Sequence, residues 1–232
     1  MDSTIIITGA SGGLGKTVTS LLVKQKHNVK AIVNPIHKNK KDLFPDDLEK
    51  SKNFTKSFLD VLNDKEVAKY MKQEKNIRAG LLLVGGFKEG DFSHTTGEQI
   101  DYLINLNFKS AFFMSKYLIP EFKKRNEGLL VLISSMPAVE NKGKGIFAYT
   151  LAKKMILNLA DILQEELKGT HVKIAVIAPD TIATPGNIQS MPGEDHSKWI
   201  QPEEIGELIL YLLKENSKNL KTRVFKMYGS VN

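Results

Sequence analysis

The sequence predicts a doubly wound α/β fold: a parallel sheet with helices on both faces, three layers deep, in one domain. Three observations carry this. Strand-like apolar runs alternate with helix-like stretches almost without a break. The first run, Thr4 to Thr8, is β-branched throughout and stops on glycines, as a parallel strand buried on both faces would. No Gly-, Ser- or Pro-rich linker, internal repeat or low-complexity tract divides the 232 residues, so a single domain over 1–232 is the economical reading.

Each element has its own signal. After the strand at 4–8, residues 13–26 place Leu14, Val18, Leu21 and Leu22 at helical spacing. A strand at 29–33 precedes a polar stretch at 34–52, which carries Pro35 and Pro45 and reads as a loop with a short helical piece. A weaker strand at 54–59 is followed by a helix at 63–75, with Asn63 as its cap. The strand at 79–84 centres on Leu81, Leu82 and Leu83. A long helix is expected over 98–125, with Pro120 near its end, then a strand at 129–134. A helix at 147–168 is closed by Gly169, a strand at 171–178 follows, and a helix at 202–214 and a strand at 222–227 complete the alternation.

Composition narrows the function classes. There is no Cys, which excludes disulfides and Cys-based zinc sites and suits a reducing cytoplasm. The 5 His lack ligand spacing, so no metal is expected. No apolar run reaches the roughly 18–20 residues that span a bilayer, and Met1 to Thr4 lack the basic start of a signal peptide, so no membrane partner is expected. The formal net charge of +7 attracts phosphate, yet the lysines are dispersed and often neighbour Glu or Asp. Surface lysine for solubility explains that better than nucleic-acid binding.

Chemistry concentrates in two places. Gly9, Ala10, Ser11, Gly12, Gly13, Leu14 and Gly15 lie between the first strand and the first helix. Glycines there permit a tight turn and close approach of a pyrophosphate, and the helix N-terminus offers unpaired N–H groups to it. Gly15-Lys16-Thr17 resembles the end of a triphosphate-binding loop, but Ala10 stands where that motif needs glycine. Farther on, Tyr149 and Lys153 are four residues apart on one helix face. An ammonium beside the phenol favours the phenolate, and a Tyr so tuned can pass a proton to a substrate oxygen.

Together with Ser134 and Ser135 at the end of the preceding strand, these motifs resemble the short-chain dehydrogenase/reductase family, in the right order over essentially the whole chain. The resemblance implies a Rossmann-type fold that binds a nicotinamide dinucleotide and transfers a hydride to or from a small carbonyl, alcohol or related unsaturated molecule. It implies Tyr149 as general acid/base and Lys153 as the ligand of the nicotinamide ribose. It further implies that Ser135 polarises the substrate carbonyl and Asn107 holds a water in a proton relay. Gly9, Ser11, Gly12, Gly13, Leu14, Gly15, Asn34, Asp60 (adenine), Gly85, Gly86, Pro179 and Thr184 would line the cofactor, with Tyr149 and Lys153. A homodimer or homotetramer through the helices at 98–125 and 147–168 is implied in the same way.

The chain departs from the pattern in three respects. The Ser135–Tyr149 interval is one residue longer than the family's common spacing, which keeps Ser134 as an alternative; Asp180 replaces a glycine after Pro179; and Gly85-Gly86 lacks the family's Asn. The segment from Asp180 to Asn187, with Met191, Pro192 and Trp199, resembles dihydropteridine reductases. Asn34, at the end of the second strand, is neutral where an acid usually holds the ribose of NAD, and Lys16, His37, Lys38, Lys40 and Lys41 offer positive charge to a 2′-phosphate, so NADP is expected over NAD. Residues 184–200 are expected to form a mobile lid with Met191 and Trp199 as its apolar residues. The competing reading is a dinucleotide-binding sensor or scaffold without catalysis, against which Tyr149, Lys153 and Asn107 stand together.

Overall fold

A computed structural model describes residues 3–214 and 223–229. Seven parallel strands form its sheet: β1 (Thr4–Thr8), β2 (Asn28–Val33), β3 (Phe54–Phe58), β4 (Ile77–Leu82), β5 (Gly128–Ile133), β6 (Val172–Pro179) and β7 (Val224–Met227). Their spatial order is β3-β2-β1-β4-β5-β6-β7. The order reverses between β1 and β4, and a doubly wound sheet opens its binding crevice at the carboxyl ends of such a pair.

The strands read as continuous apolar runs because both faces are buried. Ile5 and Ile7 of β1, Val131 of β5 and Ile177 of β6 point into one core, with α1 (Gly13–Lys24) and, later in the chain, the helix at 202–212. Ile6, Leu130, Leu132, Ile174 and Val176 point into the other core. The period of two is the pleat itself.

The polar stretch after β2 is less loop-like than its composition suggests. It holds a 3₁₀ turn, Pro35–His37, and α2 (Asp46–Glu49). Leu43, Phe44 and Leu48 are buried, and Phe44 meets Phe54 edge to face at 5.0 Å. The helix α3 (Asp64–Gln73) is capped as expected, Asn63 accepting from the Glu66 N–H at 3.3 Å.

The long helix expected over 98–125 is interrupted. α4 (Gly97–Ile104) starts in a Thr96–Gln99 capping box, passes into a π-helical turn at Asn105–Lys109, and continues as α5 (Ser110–Arg125). After β5 a short helix, α6 (Met136–Val139), begins directly beyond Ser135, an element with too few residues to show periodicity. α7 (Phe147–Glu166) ends slightly before the expected point, and Gly169 follows in a left-handed turn (φ +80°). The segment after β6 carries α8 (Pro185–Ser190) and a 3₁₀ turn, then α9 (Pro202–Leu212). The last strand is observed from Val224; Thr222, where it was expected to start, lies outside the described residues.

Candidate active site

The carboxyl edge of β1 and β4 is shaped by close backbone approach. Gly9 sits at φ +69°, and a β-carbon there would come within 2.9 Å of the Val84 nitrogen. At Gly15 it would fall 2.1 Å from the Gly9 carbonyl oxygen. The turn closes by the Gly12 N–H donating to the Gly9 carbonyl at 3.0 Å. Gly12 caps α1 without a side chain, and no acidic residue occupies the first turn, so the helix dipole faces the crevice uncompensated. Leu14 turns the other way, packing on the core.

A cavity of about 300 Å³ adjoins this turn, lined by Gly9, Ser11, Gly12, Asn34, His37 and Gly85 with apolar walls that include Ile32, Val61 and Leu106. None of its lining residues is acidic. Asn34 caps the 3₁₀ turn, its Oδ1 accepting from the Ile36 N–H at 3.0 Å. Asp60 lies beside the wall formed by Leu59, Val61 and Leu62, and accepts from the Leu62 N–H at 3.0 Å. Lys16 is half-buried, while Lys38, Lys40 and Lys41 are exposed.

The second half of the site assembles around Lys153. Its side chain is 5% exposed, and its Nζ donates to the Ile133 carbonyl at 3.1 Å. Burial pulls the ammonium down to about 8. A β-carbon on Gly85 would come 3.1 Å from that Nζ and 2.9 Å from Asn107 Oδ1, so the three residues surround one small space. Asn107, in the π turn, grips Gly86: its Oδ1 accepts from the Gly86 N–H at 3.1 Å and its Nδ2 donates to the Gly86 carbonyl at 3.0 Å. The same Nδ2 donates to the Leu103 carbonyl at 3.1 Å. The π turn is the device that lets an otherwise helical residue point its amide at this loop.

Tyr149 lies one helical turn from Lys153, with the ammonium 5.9 Å from its ring centroid. Its phenol is raised above the usual value, because burial outweighs the opposing pull of the Ser135 hydroxyl. The four-residue spacing alone suggests the reverse; the correction follows from how deeply both groups sit. The two serines separate cleanly. Ser134 Oγ donates to the Lys153 carbonyl at 2.9 Å and ties α7 to β5. Ser135 Oγ is buried without a hydrogen-bond partner of normal geometry.

One contact was not expected from the sequence, and a second falls at Thr184, a residue expected to line the cofactor. The Phe87 ring, 55% exposed, meets Tyr149 edge to face at 5.0 Å, and only the preceding Gly85-Gly86 hinted that this loop mattered. Thr184 abuts the glycine loop, since a β-carbon on Gly13 would come 2.7 Å from Thr184 Cβ. Pro179 is buried at the end of β6 and is not among the residues that line the cavity. Beyond Thr184, the segment leading through Met191 to Trp199 is pinned at its base. The Ala183 N–H donates to the Ile200 carbonyl at 2.8 Å and the Ile200 N–H to the Thr181 carbonyl at 3.0 Å. Trp199 rests against His196 at 4.5 Å.

Among the described residues, no three His, Asp or Glu side chains are grouped to hold a metal ion, and no helix is long and apolar enough to cross a membrane.

This architecture has relatives. The short chain dehydrogenase family model matches residues 3–195. An uncharacterised oxidoreductase of Staphylococcus aureus strain USA300 is 26% identical, over 92% of each chain. A 3-oxoacyl-acyl-carrier-protein reductase of Thermotoga maritima is 22% identical over 97% of this chain and 96% of its own. Among solved structures, ElxO with NADP bound superposes with a TM-score of 0.86 at 20% identity, covering 98% of this chain and 97% of that one. Serine dehydrogenase from Escherichia coli superposes with a TM-score of 0.79 at 21% identity, covering 97% and 96%.

Proposed function

The chain belongs to the short-chain dehydrogenase family of oxidoreductases, and on that premise we propose that it is an NADP-dependent reductase of a small carbonyl or related unsaturated substrate, with Tyr149 as its proton donor. One observation carries the reading: a lysine buried to 5% exposure, held between Gly85, Asn107 and the phenol of Tyr149. Fold stability alone gives no reason to enclose an ammonium with one carbonyl partner.

The crevice fits a nicotinamide dinucleotide. The glycine turn leaves room only for backbone, and an uncapped helix N-terminus faces it. Ser11, Gly12, Gly13 and Gly15 would hold the pyrophosphate, and Asn34, Asp60 and the apolar walls the adenosine. Gly86, Pro179, Thr184 and Lys153 would hold the nicotinamide end. Bound there, the dinucleotide supplies the hydride equivalent. The cavity's freedom from acid favours NADP over NAD, and His37 on its wall and Lys16 close by supply positive charge; the NADP-bound ElxO structure supports the same choice.

The residues then divide the proton chemistry. Burial keeps Tyr149 protonated at neutral pH, which suits donation to an oxygen that gains negative charge. Lys153 stabilises the phenolate left behind. Ser135, whose hydroxyl makes no hydrogen bond of normal geometry within the protein, donates to the same substrate oxygen. Asn107 fixes Gly86 and borders the space where a water would relay a proton to Lys153. The segment at 184–200 closes over the substrate as a lid within a single domain, and the helices α4, α5 and α7 pair copies of the chain into a dimer or tetramer.

The test is a fluorescence titration with NADPH and NADH, followed by cofactor oxidation against aldehydes, ketones, quinones and quinonoid dihydropterin. Tighter NADPH binding and turnover of at least one substrate support the proposal. Tighter NADH binding overturns the cofactor choice, and absence of turnover across the panel overturns the substrate class.

A further inference from the structure

Phe87 stands beside the proton donor with most of its own surface open. Its ring meets Tyr149 edge to face, the centroids 5.0 Å apart, and it is 55% exposed. A lone exposed aromatic is ordinary on a protein surface. One that is held in place against the phenol of Tyr149 is not.

The chain fixes this ring from both ends. Before it, the Asn107 amide grips Gly86 through its N–H and its carbonyl. After it, the Gly90 N–H donates to the Gly145 carbonyl at 2.8 Å, and the Phe147 N–H donates to the Gly90 carbonyl at 2.9 Å. These bonds fasten the loop to the start of α7. Successive side chains then go to different helices. Phe87 turns to Tyr149 of α7, whereas Lys88 turns to Tyr102 of α4, its ammonium 4.5 Å from the ring centroid. Beneath the contact, Leu103, Ala148 and Ala152 form a small buried cluster on which Tyr149 packs, so both rings of the pair are backed by fixed structure.

The other neighbours of the phenol are closed off: Ser135 is 3% exposed and Lys153 5%. A carbonyl whose oxygen lies in hydrogen-bond reach of Tyr149 therefore sends its substituent to the open side, where Phe87 stands. Aromatic rings attract one another in offset or edge-to-face arrangements beyond the area they bury, so a planar aromatic substituent gains most there.

We propose that Phe87 determines substrate specificity, and that the substrate is an aromatic carbonyl compound whose ring packs on Phe87 while its oxygen meets Tyr149. The inference rests on the reading of Tyr149 as proton donor.

Benzaldehyde and acetaldehyde share the reacting group and differ by the ring. With NADPH, the parent is expected to show the higher kcat/KM for benzaldehyde. Phe87→Ala is expected to cut that preference by about tenfold. The loss falls on KM, because a ring contact made equally in the ground and transition states changes binding and not chemistry. Phe87→Tyr keeps the ring and is expected to restore the preference. The ring is largely exposed, so neither variant empties the core. A parent without the preference, or a preference that Phe87→Ala leaves intact, overturns the proposal. Saturation-transfer NMR with benzyl alcohol on NADPH-loaded protein needs no turnover, since the reduced cofactor cannot accept a hydride. Transfer to the ring protons is expected in the parent and weaker in Phe87→Ala. If neither aldehyde is reduced but that signal still depends on Phe87, the reductase reading fails and the aromatic site stands. If both aldehydes are reduced and the signal ignores Phe87, the reductase reading stands and the aromatic site fails.

Discussion

Lys153 concentrates the conflict between stability and activity in one side chain. Its ordinary value is 10.5 and burial brings it to about 8, so between these limits the unfolded chain binds more protons than the folded one. Stability therefore rises with pH across that window, and below pH 8 the fold carries the full cost of enclosing the charge. The cost is on the order of 3 kcal/mol at most. Lys153→Met is expected to raise the melting temperature at pH 7 and to lose that advantage toward pH 10.5; thermal melts at the two pH values decide it. Reduction is expected to slow above about pH 8, when the neutral amine no longer stabilises the phenolate, and a kcat profile that stays flat to pH 9.5 would count against the role given to Lys153. The Tyr149–Lys153 spacing was legible in the sequence. The depth of the pair was not, because burial comes from Gly85, Asn107 and β5, all distant along the chain.

At the scale of elements, the strands and their apolar faces were readable because period two and β-branching are local properties. The π turn at Asn105–Lys109 was not, since one extra residue in a helix leaves no mark in a 3.6-residue pattern. Asn107 is the reason for that turn: its amide holds Gly86 through two hydrogen bonds. Asn107→Leu leaves the Gly86 N–H and carbonyl without their side-chain partner and is expected to cost roughly 2–3 kcal/mol and most of the activity. A variant as stable and active as the parent would show that the turn has another cause. The segment between Thr184 and Trp199 is tied at its base but exposed along Pro185 to Ser190, except for Asn187. Trp199 is the chain's single Trp, so its emission is expected to change when cofactor and substrate bind together. An unchanged spectrum would argue against lid closure.

For the whole molecule, strand order could not be read from local pattern, because crossover direction is settled by long-range packing. The order places the glycine turn of β1 beside the loop after β4, and so builds the crevice. The faces of α5 and α7 expose Phe112 (38%), Leu151 (40%) and Ile162 (60%), which suits pairing between copies. Ile162→Glu with Phe112→Glu is expected to shift light-scattering mass to the monomer; an unchanged mass would place the interface elsewhere. Proton delivery from Tyr149 to a substrate oxygen is tested most directly by Tyr149→Phe. NADPH affinity and turnover of the best carbonyl substrate are measured on the same preparation. Affinity is expected within about twofold of the parent and turnover lower by roughly 10²–10⁴; near-normal turnover in the Phe variant would show that the proton comes from elsewhere.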